Sequence, residues 1–236
     1  EAVRATRDKP LMRRLLDRAG IASPNWRVVP LDNNADREAS RVDFPCVIKP
    51  LALSASRGVI RANNPDEFVI AVDRLRGILR QPDVQKECGE TADSYLIESY
   101  LPGDEVSLEG LVEDGVLHVL ALFDKPDPLT GPFFEETIYT TPSRLPRERQ
   151  RSVIDTAEAA TQALGIDNGP VHVELRLNNN GIFPIDIAAR SIGGLCGRTL
   201  SFGVGMSLEE LQGLTEPTLV LSPECYKLKA PQIKLH

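Results

Sequence analysis

Two carboxylates and an arginine near the end of the chain carry the densest chemical information in this sequence. The run Val171-His172-Val173-Glu174-Leu175-Arg176-Leu177 alternates apolar and polar residues. A strand there sends the four apolar residues to one face and His172, Glu174 and Arg176 to the other. Ile182 to Ala188 reads as the returning strand around Asn178-Asn179-Asn180-Gly181, with Ile185 and Ile187 on one face and Asp186 and Ala188 on the opposite one. Cross-strand partners share a face, so their residue numbers must sum to an even value. A turn centred on Asn180 meets that condition and sets Glu174 directly opposite Asp186. With β-carbons about 5 Å apart, two carboxylates repel unless a cation lies between them. Magnesium suits such a pair, because it takes few protein oxygens and completes its shell with water and polyphosphate. Arg190 follows Asp186 by one helical-turn length of chain and precedes Ser191-Ile192-Gly193-Gly194, an arrangement suited to a transferring phosphoryl group. The plainer alternative is a solvated acidic face with an ion pair to Arg176 or Arg190. His172 shares the Glu174 face and reads either as a contact to metal-bound phosphate or as a structural group.

Upstream, Lys49 ends the apolar strand Cys46-Val47-Ile48-Lys49 and is followed at once by Pro50, so its ammonium is well placed to act as a point charge on phosphate. The small-residue loop Ser54-Ala55-Ser56-Arg57-Gly58 offers hydroxyls and slim amides, with Ser54, Ser56 and Gly58 as candidate phosphate contacts. It is not a Walker loop, since no Gly-Lys-Ser/Thr closes it and a strand follows instead of a helix; an ordinary turn is the alternative. Lys9 opens a helix, where a cation is disfavoured unless it meets an anion. Glu98-Ser99-Tyr100-Leu101 leaves a strand and could present backbone groups to an adenine edge under apolar cover. Glu105 then leads the next strand, where it could accept hydrogen bonds from ribose hydroxyls.

The elements that must position these groups follow from pattern and punctuation. Lys9 to Arg18 forms a basic amphipathic helix with Leu11, Leu15 and Leu16 on its apolar side, and Trp26 to Val29 a strand in which Trp26 reads as core. Asn64-Pro65-Asp66-Glu67 is a strong helix entry, with a side-chain cap, a proline at the first turn and acids at the positive end. That helix runs to about Leu79, and residues 81–93 read as a polar surface connection. Strands follow over Tyr95–Glu98, Glu105–Val112 and Val116–Phe123, the last two joined by the hairpin signal Glu113-Asp114-Gly115. The proline-rich excursion Asp124 to Arg144 has the character of a loop that covers a site. A third helix spans about Arg147 to Leu164 and stops at Gly165.

This order is α+β. It divides into a linker helix at 1–22, a small lobe at 23–93, a large lobe at 94–211 and a C-terminal extension at 212–236. The 236 residues are 42% apolar and 26% charged, a globular composition. A net charge of -7, from 27 basic and 34 acidic residues, argues against a nucleic-acid or anionic-membrane partner, both of which need a concentrated positive field. No apolar run approaches the roughly 20 residues that span a bilayer. The start Glu1-Ala2-Val3-Arg4, without initiator methionine or leader, reads as an excised piece of a soluble protein. Cys46, Cys88, Cys196 and Cys225 lie far apart, as expected of isolated thiols in a reducing cytoplasm.

Taken in order and spacing, these residues resemble the ATP-grasp superfamily up to about residue 211. Lys9 and Lys49 match its two phosphate lysines, Ser54 to Val59 the phosphate-covering loop, Glu98 to Leu101 the adenine hinge and Glu105 the ribose glutamate. Glu174 and Asp186 match the metal carboxylates, and Arg190 the arginine of the acyl-phosphate region. Asp186-Ile187-Ala188-Ala189-Arg190 departs from the common Glu-x-Asn-x-Arg, because Ala188 cannot coordinate a metal; this form is similar to the L-amino-acid ligase branch. The resemblance implies two lobes clasping ATP with Mg2+, or Mn2+ as a substitute, and small-molecule carboxylate and amine substrates. It also implies a further N-terminal domain of the same polypeptide. A substrate carboxylate would take the terminal phosphoryl group, and an amine would then displace phosphate. The alternatives are a carboxylase-like or purine-pathway member activating bicarbonate or a small acid, and a non-catalytic nucleotide-binding module.

Overall fold

A computed structural model describes residues 2–134, 138–193, 196–200, 202, 207–208 and 210; the expected extension 212–236 and Cys225 lie outside the described residues. In chain order the elements are α1 (Ala2–Ala5), α2 (Lys9–Arg18), β1 (Trp26–Pro30), α3 (Ala35–Ala39), β2 (Cys46–Pro50), β3 (Ile60–Ala62), α4 (Pro65–Leu79) and α5 (Pro82–Cys88). They continue with β4 (Ser94–Ser99), β5 (Asp104–Glu113), β6 (Val116–Lys125), α6 (Arg147–Ala163), β7 (Gly169–Asn178) and β8 (Gly181–Ala188). The strands form two antiparallel sheets, ordered β1-β4-β2-β3 and β6-β5-β7-β8. The α+β, two-lobed expectation is met.

The first sheet builds the small lobe. β4 pairs with both β1 and β2, so the expected division near residue 93 moves beyond Ser99. Tyr95, Leu96 and Ile97 explain this, because three consecutive large apolar residues are covered on both faces only at the centre of a sheet. α4 covers the sheet with Phe68, Ala71, Val72, Leu75 and Leu79, which recur at helical spacing. Its cap is reciprocal: Asn64 accepts from the Glu67 N–H at 2.9 Å, and Glu67 accepts from Asn64 Nδ2 at 2.8 Å and the Asn63 N–H at 2.9 Å. Asn64→Ala is expected to cost about 1 kcal/mol, read as a lower urea midpoint at constant slope. Residues 81–93 are mostly exposed, as expected of a surface connection, but they are ordered and anchored to the core. α5 and a 3-10 turn over Gly89–Asp93 bury Val84, Cys88 and Ala92, apolar residues spaced at one turn and hidden among polar neighbours.

The second sheet builds the large lobe. α6 packs on one face through Val153, Ala157 and Ala160, and α1 and α2 join the same core through Ala5, Met12 and Leu16. Residues 2–22, expected as a linker helix, are therefore a brace of the large lobe. Trp26 also departs from expectation: it is half-buried and donates to Asp17 Oδ2 at 2.8 Å.

The Asp124 to Arg144 excursion crosses between the lobes. Asp124 fixes its stem by accepting from Ser143 Oγ at 2.5 Å and the Arg144 N–H at 2.7 Å. Arg176 Nη2 of the large lobe donates to the Leu129 carbonyl at 2.6 Å, and Arg61 of β3 donates to the Thr130 and Pro132 carbonyls. The strap thereby covers the edge of the small sheet. No described helix is long and apolar enough to cross a membrane.

Candidate nucleotide-binding cleft

A cleft of about 550 Å³ opens between the lobes. Lys9, Lys49, Ser54, Ser56, Glu98, Ser99, Tyr100, Leu101, Glu105, His172, Glu174, Asp186 and Arg190 all line it. Gly58 does not. It faces away, and a side chain there would meet Leu75 Cδ1 at 3.0 Å.

Glu174 stands opposite Asp186 as the alternation requires, but by a different route. The turn is a two-residue one, pairing Asn178 with Gly181 and Leu175 with Pro184, which gives an odd sum. A bulge at Ile185 restores the even sum before Glu174 and Asp186. Ile185 consequently lines the cleft while Ile187 is buried in the core, so the two do not share a face. The extra residue lets Ile182 and Pro184 face inward near the turn and still aims Asp186 outward.

The two expected phosphate lysines converge from opposite lobes. Lys9 Nζ donates to the Leu53 carbonyl at 2.9 Å and lies 3.8 Å from Asp186 Oδ1. Lys49 Nζ lies 2.6 Å from Glu98 Oε2; burial pulls its pKa down, and the Glu98 charge opposes that fall. Glu98, expected at the adenine hinge, instead has both oxygens held by cations, because Arg13 Nε bonds Oε1 at 2.6 Å. Burial alone would raise the Glu98 pKa, but the charges of Arg13 and Lys49 hold it below the usual carboxylate range. Arg13 was not anticipated. The signal was a charge between Met12 and Leu16 on the apolar side of α2.

The large-lobe wall of the cleft is a ladder of alternating charge. Register sets Glu105 opposite both Arg176 and Lys125, and Glu109 opposite His172. Lys125 Nζ bonds Glu105 at 2.7 Å and Glu174 at 2.8 Å, and Arg176 Nε bonds Glu105 at 2.8 Å. His172 Nδ1 pairs with Glu109, and its Nε2 lies 3.4 Å from Glu174 Oε1. The other Glu109 oxygen accepts from the Ile192 N–H at 2.9 Å, which ties the segment after Arg190 to the sheet. Lys125 and Glu109 were also missed, although period-2 alternation from Glu105 through Ser107 places Glu109 on the cleft face.

Burial alone would lower the His172 pKa; its bonds to Glu109 and Glu174 and their charges instead raise it to about 9. Between the unfolded value near 6.5 and 9, the folded chain binds the extra proton. This stabilisation is complete below pH 6.5 and is lost as pH rises through 9. Denaturant midpoints measured without nucleotide or metal should fall across that window, and His172→Gln should flatten the fall.

At the hinge, the Ser99 N–H donates to the Asn25 carbonyl at 2.8 Å and the Tyr100 N–H to the Pro45 carbonyl at 3.0 Å. Among the described residues the Leu101 N–H has no partner. Arg61 stacks on the Tyr100 ring, 3.9 Å from its centroid.

Residues 42–199 match the ATP-grasp domain. The chain belongs to the ATP-grasp family. It is 30% identical to alanine–anticapsin ligase of Bacillus subtilis (strain 168), over 96% of this chain and 48% of that protein. The L-amino acid ligase of Bacillus licheniformis superposes with a TM-score of 0.73 at 27% identity, over 89% of this chain and 49% of that one. Biotin carboxylase of Campylobacter jejuni superposes with a TM-score of 0.66 at 18% identity, over 83% of this chain and 43% of that one, a likeness of fold alone. The chain thus spans about half the length of the two ligases it matches. Its likeness to the amino-acid ligases accords with the branch that Asp186-Ile187-Ala188-Ala189-Arg190 resembles.

The ATP-grasp cleft suits a divalent ion of limited protein coordination. Among the described residues no group of three or more His, Cys, Asp or Glu forms a metal cage. Two facing carboxylates, one of them 36% exposed at its side chain, fit an ion that draws its other oxygens from phosphate and water. Ala188 pairs with His172 across the strands, so the position of the usual asparagine lies beside an imidazole and supplies no oxygen.

Proposed function

We propose that this chain is the nucleotide-binding core of a carboxylate–amine ligase, which uses ATP to activate an amino-acid carboxylate as an acyl phosphate. An amine then takes the acyl group, with release of ADP and phosphate. The observation that carries the reading is the meeting of Glu174 and Asp186 with Lys9 and Lys49 in one cleft. The names of the two ligase relatives support the amino-acid substrate class.

In this reading Lys9 and Lys49 approach the phosphates from the two lobes, while Ser54 and Ser56 close over them. The Leu101 N–H meets the adenine edge. Each Glu105 oxygen already accepts one bond and keeps a lone pair for a ribose hydroxyl. Glu174 and Asp186 would hold Mg2+, which when bound neutralises phosphoryl charge. Arg190 is exposed at the cleft mouth, where it would stabilise charge on the transferring group and orient the carboxylate. Phe134 and Tyr139 of the strap line the cleft and would exclude water that otherwise hydrolyses the acyl phosphate.

Calorimetry of the chain with ATP should show binding that strengthens with magnesium. Phosphate release by the complete polypeptide should then require an amino acid together with an amine acceptor. Release that depends on bicarbonate, with no response to amino acids, would replace this reading with the carboxylase-like one. Nucleotide binding without any turnover would favour an idle module.

A further inference from the structure

Arg13 lies outside every role assigned above, yet its side chain is wholly buried and joins three elements. Nε bonds Glu98 of β4 at 2.6 Å, Nη1 the Pro184 carbonyl at 2.7 Å and Nη2 the Ile185 carbonyl at 2.8 Å. We propose that Arg13 is a positioning residue that leaves the Lys49 charge available to a nucleotide phosphate and locks Asp186 into line with Glu174.

Two independent features support this. The first is a charge count. Glu98 carries one negative charge and meets two cations, Arg13 and Lys49. With Arg13 present the buried trio is net positive by one, and the excess faces the cleft through Lys49. Without it, Glu98 and Lys49 would neutralise each other at short range in a medium of low dielectric. The second is the bulge. Ile185 is the extra residue that restores parity before Asp186, and a bulged residue has no partner in its ladder. The planar guanidinium holds the two successive carbonyls on two separate nitrogens in one fixed plane, a geometry that the compact, rotating ammonium of a lysine does not impose. Lys9 lies one turn earlier on α2, and Met12 and Leu16 root the helix in the large-lobe core. One rigid element thus sets both lysines and the metal-facing strand.

The inference rests on the nucleotide reading, and one set of titrations separates the two. ATP binding is measured by calorimetry over a range of magnesium concentrations, with thermal unfolding alongside, for the unsubstituted chain, R13M, R13M/E98Q and R13K. R13M should bind ATP at least about tenfold more weakly. Adding E98Q should recover much of that loss, because Lys49 is no longer neutralised; a merely structural role predicts no recovery. R13K keeps the charge, so at saturating magnesium its affinity should stay within about threefold, but its magnesium requirement should rise about tenfold, the scale seen when groups behind a metal ligand are lost. Unchanged binding in R13M, or loss without recovery in a folded R13M/E98Q, overturns the charge role. An unchanged magnesium requirement in R13K overturns the bulge role, and this limb stands even where R13M does not fold. Absence of ATP binding by the unsubstituted chain would instead overturn the nucleotide reading itself.

Discussion

Asp186→Asn and Glu174→Gln are each expected to abolish the magnesium-dependent part of ATP binding, yet only the second should destabilise the fold. The two carboxylates face the same space from adjacent strands, but their surroundings differ. Glu174 is 17% exposed at its side chain and lies between Lys125 at 2.8 Å and His172 at 3.4 Å. Burial would raise its pKa, but the charges and bonds of Lys125 and His172 outweigh that and hold it well below the usual carboxylate range. Neutralising it leaves two neighbouring cations without their shared anion, a loss of about 2 kcal/mol or more. Asp186 is more exposed and, among the described residues, forms an ion pair with Lys9 at 3.8 Å, so its removal should change stability by less than about 1 kcal/mol. Urea unfolding and ATP titrations at several magnesium concentrations measure both quantities on the same samples. Magnesium dependence that survives either substitution would contradict a shared ion, and equal stability losses would contradict the charge ladder.

Gly103→Ala should be among the most destabilising substitutions in the chain, at about 4 kcal/mol or more. Gly103 links the hinge to β5 with φ +126°, and a Cβ there would lie 2.0 Å from the Leu177 carbonyl oxygen and 2.9 Å from its carbon. Both atoms are backbone of β7, so no side chain can rotate aside. Relief requires β5 to part from β7, which would shift Glu105 and the hinge together and break the Arg176 bond to the Gly103 carbonyl. Gly115→Ala is the matched control. It also has positive φ, at +77°, in the Asp114-Gly115 hairpin, but nothing lies within 4 Å of an added Cβ. Its cost should be about 1 kcal/mol, the backbone preference alone. Similar denaturant midpoints for the two variants would show that the close approach at Gly103 is relieved by other means.

Much of the cleft was legible because local rules act over short stretches. Alternation alone assigned Val171, Val173, Leu175 and Leu177 to the core and His172, Glu174 and Arg176 to the cleft. Asn64 and Gly115 announced a helix start and a hairpin through backbone chemistry that no distant contact needs to supply. The errors arose where a residue answers to a distant partner. Ser94 to Ser99 read as the opening of the large lobe because sequence order is silent on which edge a strand joins, whereas β1 and β2 left room for it between them.

The sequence by itself determined the order of helices and strands, the face that each residue of the Val171–Leu177 strand presents, and an order of acids, lysines and small residues that resembles the ATP-grasp family. Tertiary structure alone decided how those groups are charged and aimed. The Ile185 bulge changes parity midway along β8, and the Glu98 carboxylate is held by Arg13 and Lys49. Neither outcome follows from spacing, because a buried guanidinium reaching across 85 and more residues of chain meets both Glu98 and the carbonyls at the bulge, groups that burial would otherwise leave unpaired.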